Sequence, residues 1–356
     1  MSALSVRHFQ QAQVLTAVSK HRYLLTEHAS PHHQHVWLAR SESDGGQFVI
    51  KSPLRAKDSE QRKAMRQLDT EMMILKGPLK NTEGIRQLVD QIVLTVGVDE
   101  QTRAGVFEHL DFDLHRYHLT QKHQFSRLQI KSIARQILKA LSNTHKQDIV
   151  HTDLKPENIV FSQFASSTAS EIVVKVIDFG VASRRDEDRC RMITNPYWRS
   201  PESWVGIPWG TPADIWSFGA VVRSPTSPSF AMSTNLFSVV QIGSLLMEPG
   251  AKLFQPMGGL AGVTTEEQDR EFLRSLWTII PFPKTFLERA PRKWQDEISR
   301  FSPRLAPTGM PITLSFIGEI FEVPKADWAF VRDILQVDPD RRPTADELLQ
   351  HTWLNS

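Results

Sequence analysis

Cysteine is nearly absent from this chain. Cys190 is the only one in 356 residues, which excludes an intramolecular disulfide and a zinc site built on cysteine. Charge of one sign is scarce too: 42 Lys and Arg stand against 40 Asp and Glu, a formal balance of +2. That excludes the basic footprint of a dedicated nucleic-acid binder and the acidic excess of a disordered, solvating chain. Long apolar runs are missing, since no stretch reaches the ~20 residues a membrane span needs. The first 20 residues also lack the apolar core of a secretion signal. No internal repeat recurs, and the prolines are scattered. These absences give the expectation of an intracellular protein, cytoplasmic or nuclear, with neither nucleic acid nor membrane as partner. The chain does have 40% apolar and 23% charged residues, a globular mix with length for two compact units or one large two-lobed unit.

The pattern changes near residue 110. Before it, short β-like runs dominate: Tyr23-Leu-Leu-Thr, Val36-Trp-Leu-Ala-Arg, Phe48-Val-Ile-Lys and Ala104-Gly-Val-Phe-Glu. One helical pattern interrupts them, Ser59 to Lys76, with Met65, Leu68, Met72 and Leu75 at helical spacings and Ser59 as its N-cap. Beyond residue 110 the periodicity is mainly helical. Ile130, Ile133, Ile137, Leu138 and Leu141 mark a helix from Leu128 to His145. Strand-like Ile159-Val-Phe and Ile172-Val-Val-Lys-Val-Ile follow, then helical stretches at Glu266 to Thr278, Trp328 to Leu335 and Thr344 to Gln350. This order predicts a small β-rich lobe, a short connector and a larger α-rich lobe.

Two polar motifs flank the strand pair. His151-Thr-Asp-Leu-Lys-Pro-Glu-Asn158 packs a carboxylate, an ammonium and an amide into a stretch where Pro156 breaks helix. Asp178-Phe-Gly180 puts an acid after the apolar run Val173 to Ile177, with a glycine that permits a tight turn. Phosphoryl transfer needs such a set. Magnesium wants oxygen ligands, which Asn158 and Asp178 supply; a carboxylate must orient the attacking hydroxyl, as Asp153 can; Lys155 can offset charge on the moving group.

The sequence resembles the eukaryotic protein kinases of the serine/threonine type. HTDLKPEN is similar to the catalytic loop HRDLxxxN, and DFG is intact. Phe48-Val-Ile-Lys51 looks like the VAIK strand, and Glu71 falls where the glutamate of the αC helix belongs. Ser200-Pro-Glu202 resembles APE, Asp214-Ile-Trp-Ser-Phe-Gly219 resembles DxWSxG, and Arg341-Arg-Pro-Thr-Ala345 resembles the closing motif whose arginine, here Arg342, pairs with Glu202. The matches run in family order over residues 23–354. The resemblance implies an α+β, bilobal protein-kinase-like fold with a small β-rich N-lobe holding one main helix and a larger, mainly α-helical C-lobe. Residues 1–22 would be an N-terminal extension, 23–107 the N-lobe, 108–111 the hinge and 112–354 the C-lobe.

It further implies ATP and Mg2+ as cofactors and a protein serine or threonine as acceptor, with the regulatory partner left open. Lys51, Glu71, Asp153 and Lys155 would be catalytic, and Asn158 and Asp178 would hold the metal. Phe107 would be the gatekeeper and Glu108 to Leu110 the hinge. Adenine would sit between Val36 and Val49 above and Val160 below, with Ile177 behind. His151 would be structural, stacked with Leu75, Phe179 and Asp214; Glu202, Asp214 and Arg342 are likewise architectural. Asp-Leu-His-Arg at 113–116 resembles the cyclin-dependent and mitogen-activated branch.

Three features depart from the family. The phosphate-covering loop would have glycines at 29, 31 and 34, where this chain has Ala29, Pro31 and Gln34; glycines there let backbone N–H groups approach phosphate. His28, His32, His33 and His35 in the same stretch read as a solvated hairpin tip, with a metal site as the lesser alternative. Thr152 replaces the arginine that often grips a phosphorylated activation segment. The segment Asp178 to Glu202 is short, so activity is expected without phosphorylation there; counted back from Glu202, Asn195 rather than Thr194 stands at the family's threonine position, and either of the two could serve. Lastly, residues 222–241 interrupt a helix that should run on from Asp214 through Leu246. Pro225 and Pro228 would each cost roughly 3 kcal/mol in its interior. Val222-Arg223 can be encoded GTACGT, Thr234-Asn235 ACTAAC and Gln241 CAG, so the segment reads as a retained intron, with a genuine surface insertion as the alternative. The glycine-less loop and this interruption support a rival function, a pseudokinase acting as a binding or scaffold module.

Overall fold

The computed structural model describes residues 4–5, 9–29, 35–52, 59–96, 100–120, 125–163, 172–184, 189–221, 265–301 and 324–356. The segment 222–241 and loop residues 30–34, including His32 and His33, lie outside the described residues. No helix among the described residues is long and apolar enough to cross a membrane. The chain divides into two units, Met1–Asp111 with Lys175–Ala182, and Phe112–Val174 with Ser183–Ser356.

The first unit holds β1 (Leu4–Ser5), β2 (Val14–Thr16), β3 (Arg22–His28), β4 (Val36–Ser41), β5 (Gln47–Lys51), α1 (Ser59–Lys76), β6 (Leu88–Val96) and β7 (Glu100–Glu108). The strands form one sheet in the order β1-β6-β7-β5-β4-β3-β2. Side chains alternate across a strand, so one face of the sheet buries Leu25, Trp37, Ala39, Ile50, Ala104 and Val106 in a common cluster. Register fixes the opposite face. Val36 stands across from Lys51, Val49 from Phe107 and Lys51 from Gly105, which puts Val36, Val49, Lys51 and Phe107 on one side. Helix α1 turns Leu68, Glu71, Met72 and Leu75 inward at helical steps. Ser59 is the first residue of α1 rather than its cap.

The second unit begins with β8 (Phe112–Asp113), α2 (Leu114–Thr120) and α3 (Arg127–His145). Helix α3 opens on a capping box in which Ser126 and Gln129 satisfy each other's backbone N–H groups. Short strands follow, β9 (Ile149–Val150), β10 (Ile159–Gln163), β11 (Ile172–Val176), whose Lys175 and Val176 belong to the first unit, and β12 (Ser183–Arg184). The remaining elements are helices: α4 (Pro201–Val205), α5 (Thr211–Val221), α6 (Thr265–Ile279), α7 (Lys284–Leu287), α8 (Arg292–Ile298), α9 (Lys325–Ile334), α10 (Ala345–Leu349) and α11 (Thr352–Asn355). Trp204, Trp216, Phe272, Leu276, Phe286 and Val331 lie in one buried cluster among them. Thr344 caps α10 through a second capping box, with Glu347.

Two interior features lock this unit. Arg342 meets Glu202 through two hydrogen bonds, Nη1 to Oε1 at 2.9 Å and Nη2 to Oε2 at 3.0 Å, and both side chains are 0% exposed. Helices α5 and α9 approach closely at Gly219, where a Cβ would stand 2.5 Å from Cγ2 of Ile334. Gly219→Ala gains at most about 1 kcal/mol of helix propensity, less than the roughly 1–3 kcal/mol that overpacking a core costs. The variant is expected to lose about 1 kcal/mol, read as a lower urea midpoint at unchanged slope.

Candidate active site

In the first unit the site grows from the end of β5. Lys51 is its last residue, and the sheet register aims its side chain toward α1. Its Nζ donates to Glu71 Oε2 at 2.8 Å and to Asp178 Oδ1 at 3.4 Å. The Asp178 backbone N–H donates to Glu71 Oε1 at 3.2 Å. Asp178 follows β11 in the left-handed region at φ +68°, a conformation Asp tolerates better than most residues. Lys51, Glu71 and Asp178, far apart in sequence, thus form one charged set.

Phe107, fully buried near the end of β7, lies beneath this set, with Lys51 Nζ 5.6 Å from its ring centroid. Glu108, the last residue of β7, receives Lys175 Nζ at 2.6 Å and the Gln87 backbone N–H at 2.9 Å on its Oε2. Burial pushes the next residue, His109, below the usual imidazole value, with Asp111 opposing. Leu110 and Val36 are half-buried and Val49 is buried; Ile177 follows β11 and is half-buried. Ala29 N–H donates to the Val36 carbonyl at 2.9 Å, and the His28 ring lies 3.8 Å from that of Trp37.

Sequence reasoning missed Arg86. It is 5% exposed, with its guanidinium 4.8 Å from the Phe107 centroid and Nη2 3.7 Å from Glu71 Oε1. Burial pushes it below the ordinary guanidinium value, opposed by Glu71, then Asp178 and Glu108. A lone Arg in Glu83-Gly-Ile-Arg-Gln-Leu reads as an exposed turn residue, and only contacts distant in sequence reveal otherwise.

In the second unit the catalytic-loop motif leaves β9. Thr152 takes φ +64°, strained for a β-branched residue by about 1–3 kcal/mol. Asp214, at the start of α5, holds it there: Oδ1 accepts the Thr152 N–H at 2.9 Å and Oδ2 the His151 N–H at 2.8 Å. His145 Nε2 lies 3.0 Å from the same Oδ2. His151 is fully buried. Asp153 Oδ2 receives Lys155 Nζ at 2.6 Å and Asn158 Nδ2 at 3.1 Å, and the same Nδ2 donates to the Asp153 carbonyl at 2.8 Å. A short 3-10 turn, Pro156–Asn158, closes this loop, and half-buried Val160 follows in β10. Thr194 Oγ1 donates to the Thr152 carbonyl at 2.8 Å, whereas Asn195 Oδ1 accepts from its neighbour Tyr197 N at 3.1 Å. Of the two, Thr194 reaches the catalytic loop.

Residues 33–354 match the protein kinase domain family, and the chain belongs to it. Among curated proteins it is similar to the dual specificity protein kinase lkh1 of Schizosaccharomyces pombe, 27% identical over 253 residues, or 63% of this chain and 31% of that protein. It is also similar to the mitogen-activated protein kinase pmk-1 of Caenorhabditis elegans, 24% identical over 226 residues, or 63% of this chain and 48% of that protein. The match therefore spans less than half the length of either relative. The solved kinase domain of PF14_0431 superposes with a TM-score of 0.65 at 20% identity, covering 97% of this chain and 98% of that one, which shows the protein-kinase fold.

Proposed function

We propose that the chain is an ATP- and magnesium-dependent protein kinase that phosphorylates serine or threonine hydroxyls of an intracellular protein. The observation that carries this reading is the convergence of Lys51, Glu71 and Asp178 on hydrogen-bonding distances. A lysine held between two carboxylates at the end of a strand is an arrangement that can meet phosphates and a metal ion together.

The donor chemistry fits magnesium, a hard cation that prefers oxygen. Asp178 offers a half-buried carboxylate. Asn158 donates to Asp153 through its Nδ2, and its amide oxygen is the hard donor it would offer the cation. When bound, magnesium neutralises charge on the phosphates. Lys51 serves the phosphates and Glu71 holds Lys51. Asp153 accepts the hydrogen bond of the substrate hydroxyl and aims its oxygen, and Lys155 offsets charge on the group in transfer. Val36, Val49, Phe107, Glu108, Leu110, Val160 and Ile177 are the residues proposed for adenine. The Thr194–Thr152 hydrogen bond supports activity without a phosphorylated activation segment, because it ties that segment to the loop with no phosphate.

A second reading adds tyrosine as acceptor and is favoured by the dual specificity named for lkh1. One experiment covers these points. Mg-ATP at 100 times its Kd is expected to stabilise the fold by about 2.7 kcal/mol. Asp178→Ala is expected to remove the thermal shift more completely than any substitution among residues 28–35, because the loop offers no family glycines to lose. Transfer of γ-phosphate to a peptide library, followed by phosphoamino-acid analysis, separates serine and threonine from tyrosine. No shift at millimolar ATP and no transfer would leave the pseudokinase module as the reading.

A further inference from the structure

We infer that Arg86 is a positioning residue for the Lys51–Glu71 pair, a second buried cation that holds the Glu71 carboxylate while the Lys51 ammonium serves a phosphate. The role of Lys51 rests on the kinase reading; the geometry around Arg86 stands without it. Glu71 is 2% exposed and has a different cation at each oxygen, Lys51 at 2.8 Å from Oε2 and Arg86 at 3.7 Å from Oε1. The two cations therefore do not compete for one atom. A buried carboxylate stripped of its only cation is strongly destabilised. Lys51 is already shared with Asp178, and a phosphate would draw it further away.

Arg86 is poorly explained as a packing residue. Its Nε and Nη2 are buried without a hydrogen-bond partner among the described residues, which an apolar side chain of similar size would avoid. Its environment is nevertheless built to hold a cation. The guanidinium lies over the Phe107 ring, and the ring lies against Gly105, where a Cβ would stand 2.6 Å from Phe107 Cε2. The bare α-carbon of Gly105 lets Phe107 lie under both cations.

The test is a stability cycle without nucleotide, joined to steady-state kinetics. Arg86→Met and Arg86→Gln are each combined with Lys51→Met, and the double variants also with Glu71→Gln. Each single loss is expected to be tolerated, because the other cation still faces Glu71. The double variant is expected to lose several degrees of Tm beyond the sum of the singles, an excess that vanishes once Glu71→Gln removes the buried charge. Additive shifts, an excess that survives Glu71→Gln, or an Arg86 variant that fails to fold with Lys51 intact would each overturn the inference. In kinetics, Arg86→Met is expected to lower kcat roughly tenfold to a hundredfold with KM for ATP little changed, and Arg86→Lys to restore most of it; an unchanged kcat overturns the role. If the unsubstituted chain transfers no phosphate, the kinase reading fails while the stability cycle still decides the pairing of Arg86 with Glu71.

Discussion

Asp153→Asn is expected to lower phosphoryl transfer by about 10²- to 10⁴-fold, the range lost with a positioned acid–base group. The amide keeps the size of the carboxylate but presents a donor where the substrate hydroxyl needs an acceptor. Folding should be nearly untouched. The Lys155–Asp153 pair, at 2.6 Å, is half-buried, with side chains 25% and 18% exposed, and the amide keeps an oxygen that can accept from Lys155, so a loss of about 1 kcal/mol is expected. The measurement is γ-phosphate transfer by the purified variant beside its thermal melt. Turnover at the unsubstituted rate with an unchanged melt would remove Asp153 from the proposed chemistry.

The largest loss of stability is expected from Glu202→Ala. Arg342 would then be left charged, fully buried and without its carboxylate, with the carbonyls of Pro212, Gln336 and Val337 and the ring of Trp216 as its remaining partners among the described residues. Breaking a buried pair from one side costs about 3–5 kcal/mol, a large fraction of the total stability of a domain. Glu202→Gln keeps acceptors for the guanidinium and is expected to lose less, about 1–3 kcal/mol. Urea unfolding of the two variants reads both values. Equal midpoints for Glu202→Ala and the unsubstituted chain would show that the pair adds nothing to the fold.

What the sequence made legible was local. The catalytic loop, DFG and the α3 periodicity each fit in one short window, and the predicted helix 128–145 differs from Arg127–His145 by one residue. Strand β6 escaped because its pattern is impure. Polar Asp90 and Gln91 interrupt the apolar run, and the register shifts between Leu88 and Asp90. Gln91 is nonetheless buried, with its amide hydrogen-bonded to Met72 Sδ at 3.1 Å, which no window on the strand alone contains. Arg86 escaped for a related reason: Glu71 and Phe107, which define its surroundings, lie on a helix before it and a strand after it. The choice between Thr194 and Asn195 was open in sequence because counting from Glu202 cannot see the left-handed turn at Thr194, φ +63°, which carries its hydroxyl to Thr152.

Asp214 makes the first turn of α5 and the backbone of the catalytic loop a single mechanical body. The carboxylate that fixes residues 151 and 152 belongs to a helix whose Trp216 and Gly219 are packed deep in the second unit. A small tilt of α5 would swing the loop with it, and Asp153 is the next residue along. Substitutions beneath this helix are therefore expected to act on the proposed transfer through aim rather than through contact, and to slow it before a melting curve registers them. Variation in the family would then be constrained at such core positions by catalysis as much as by packing.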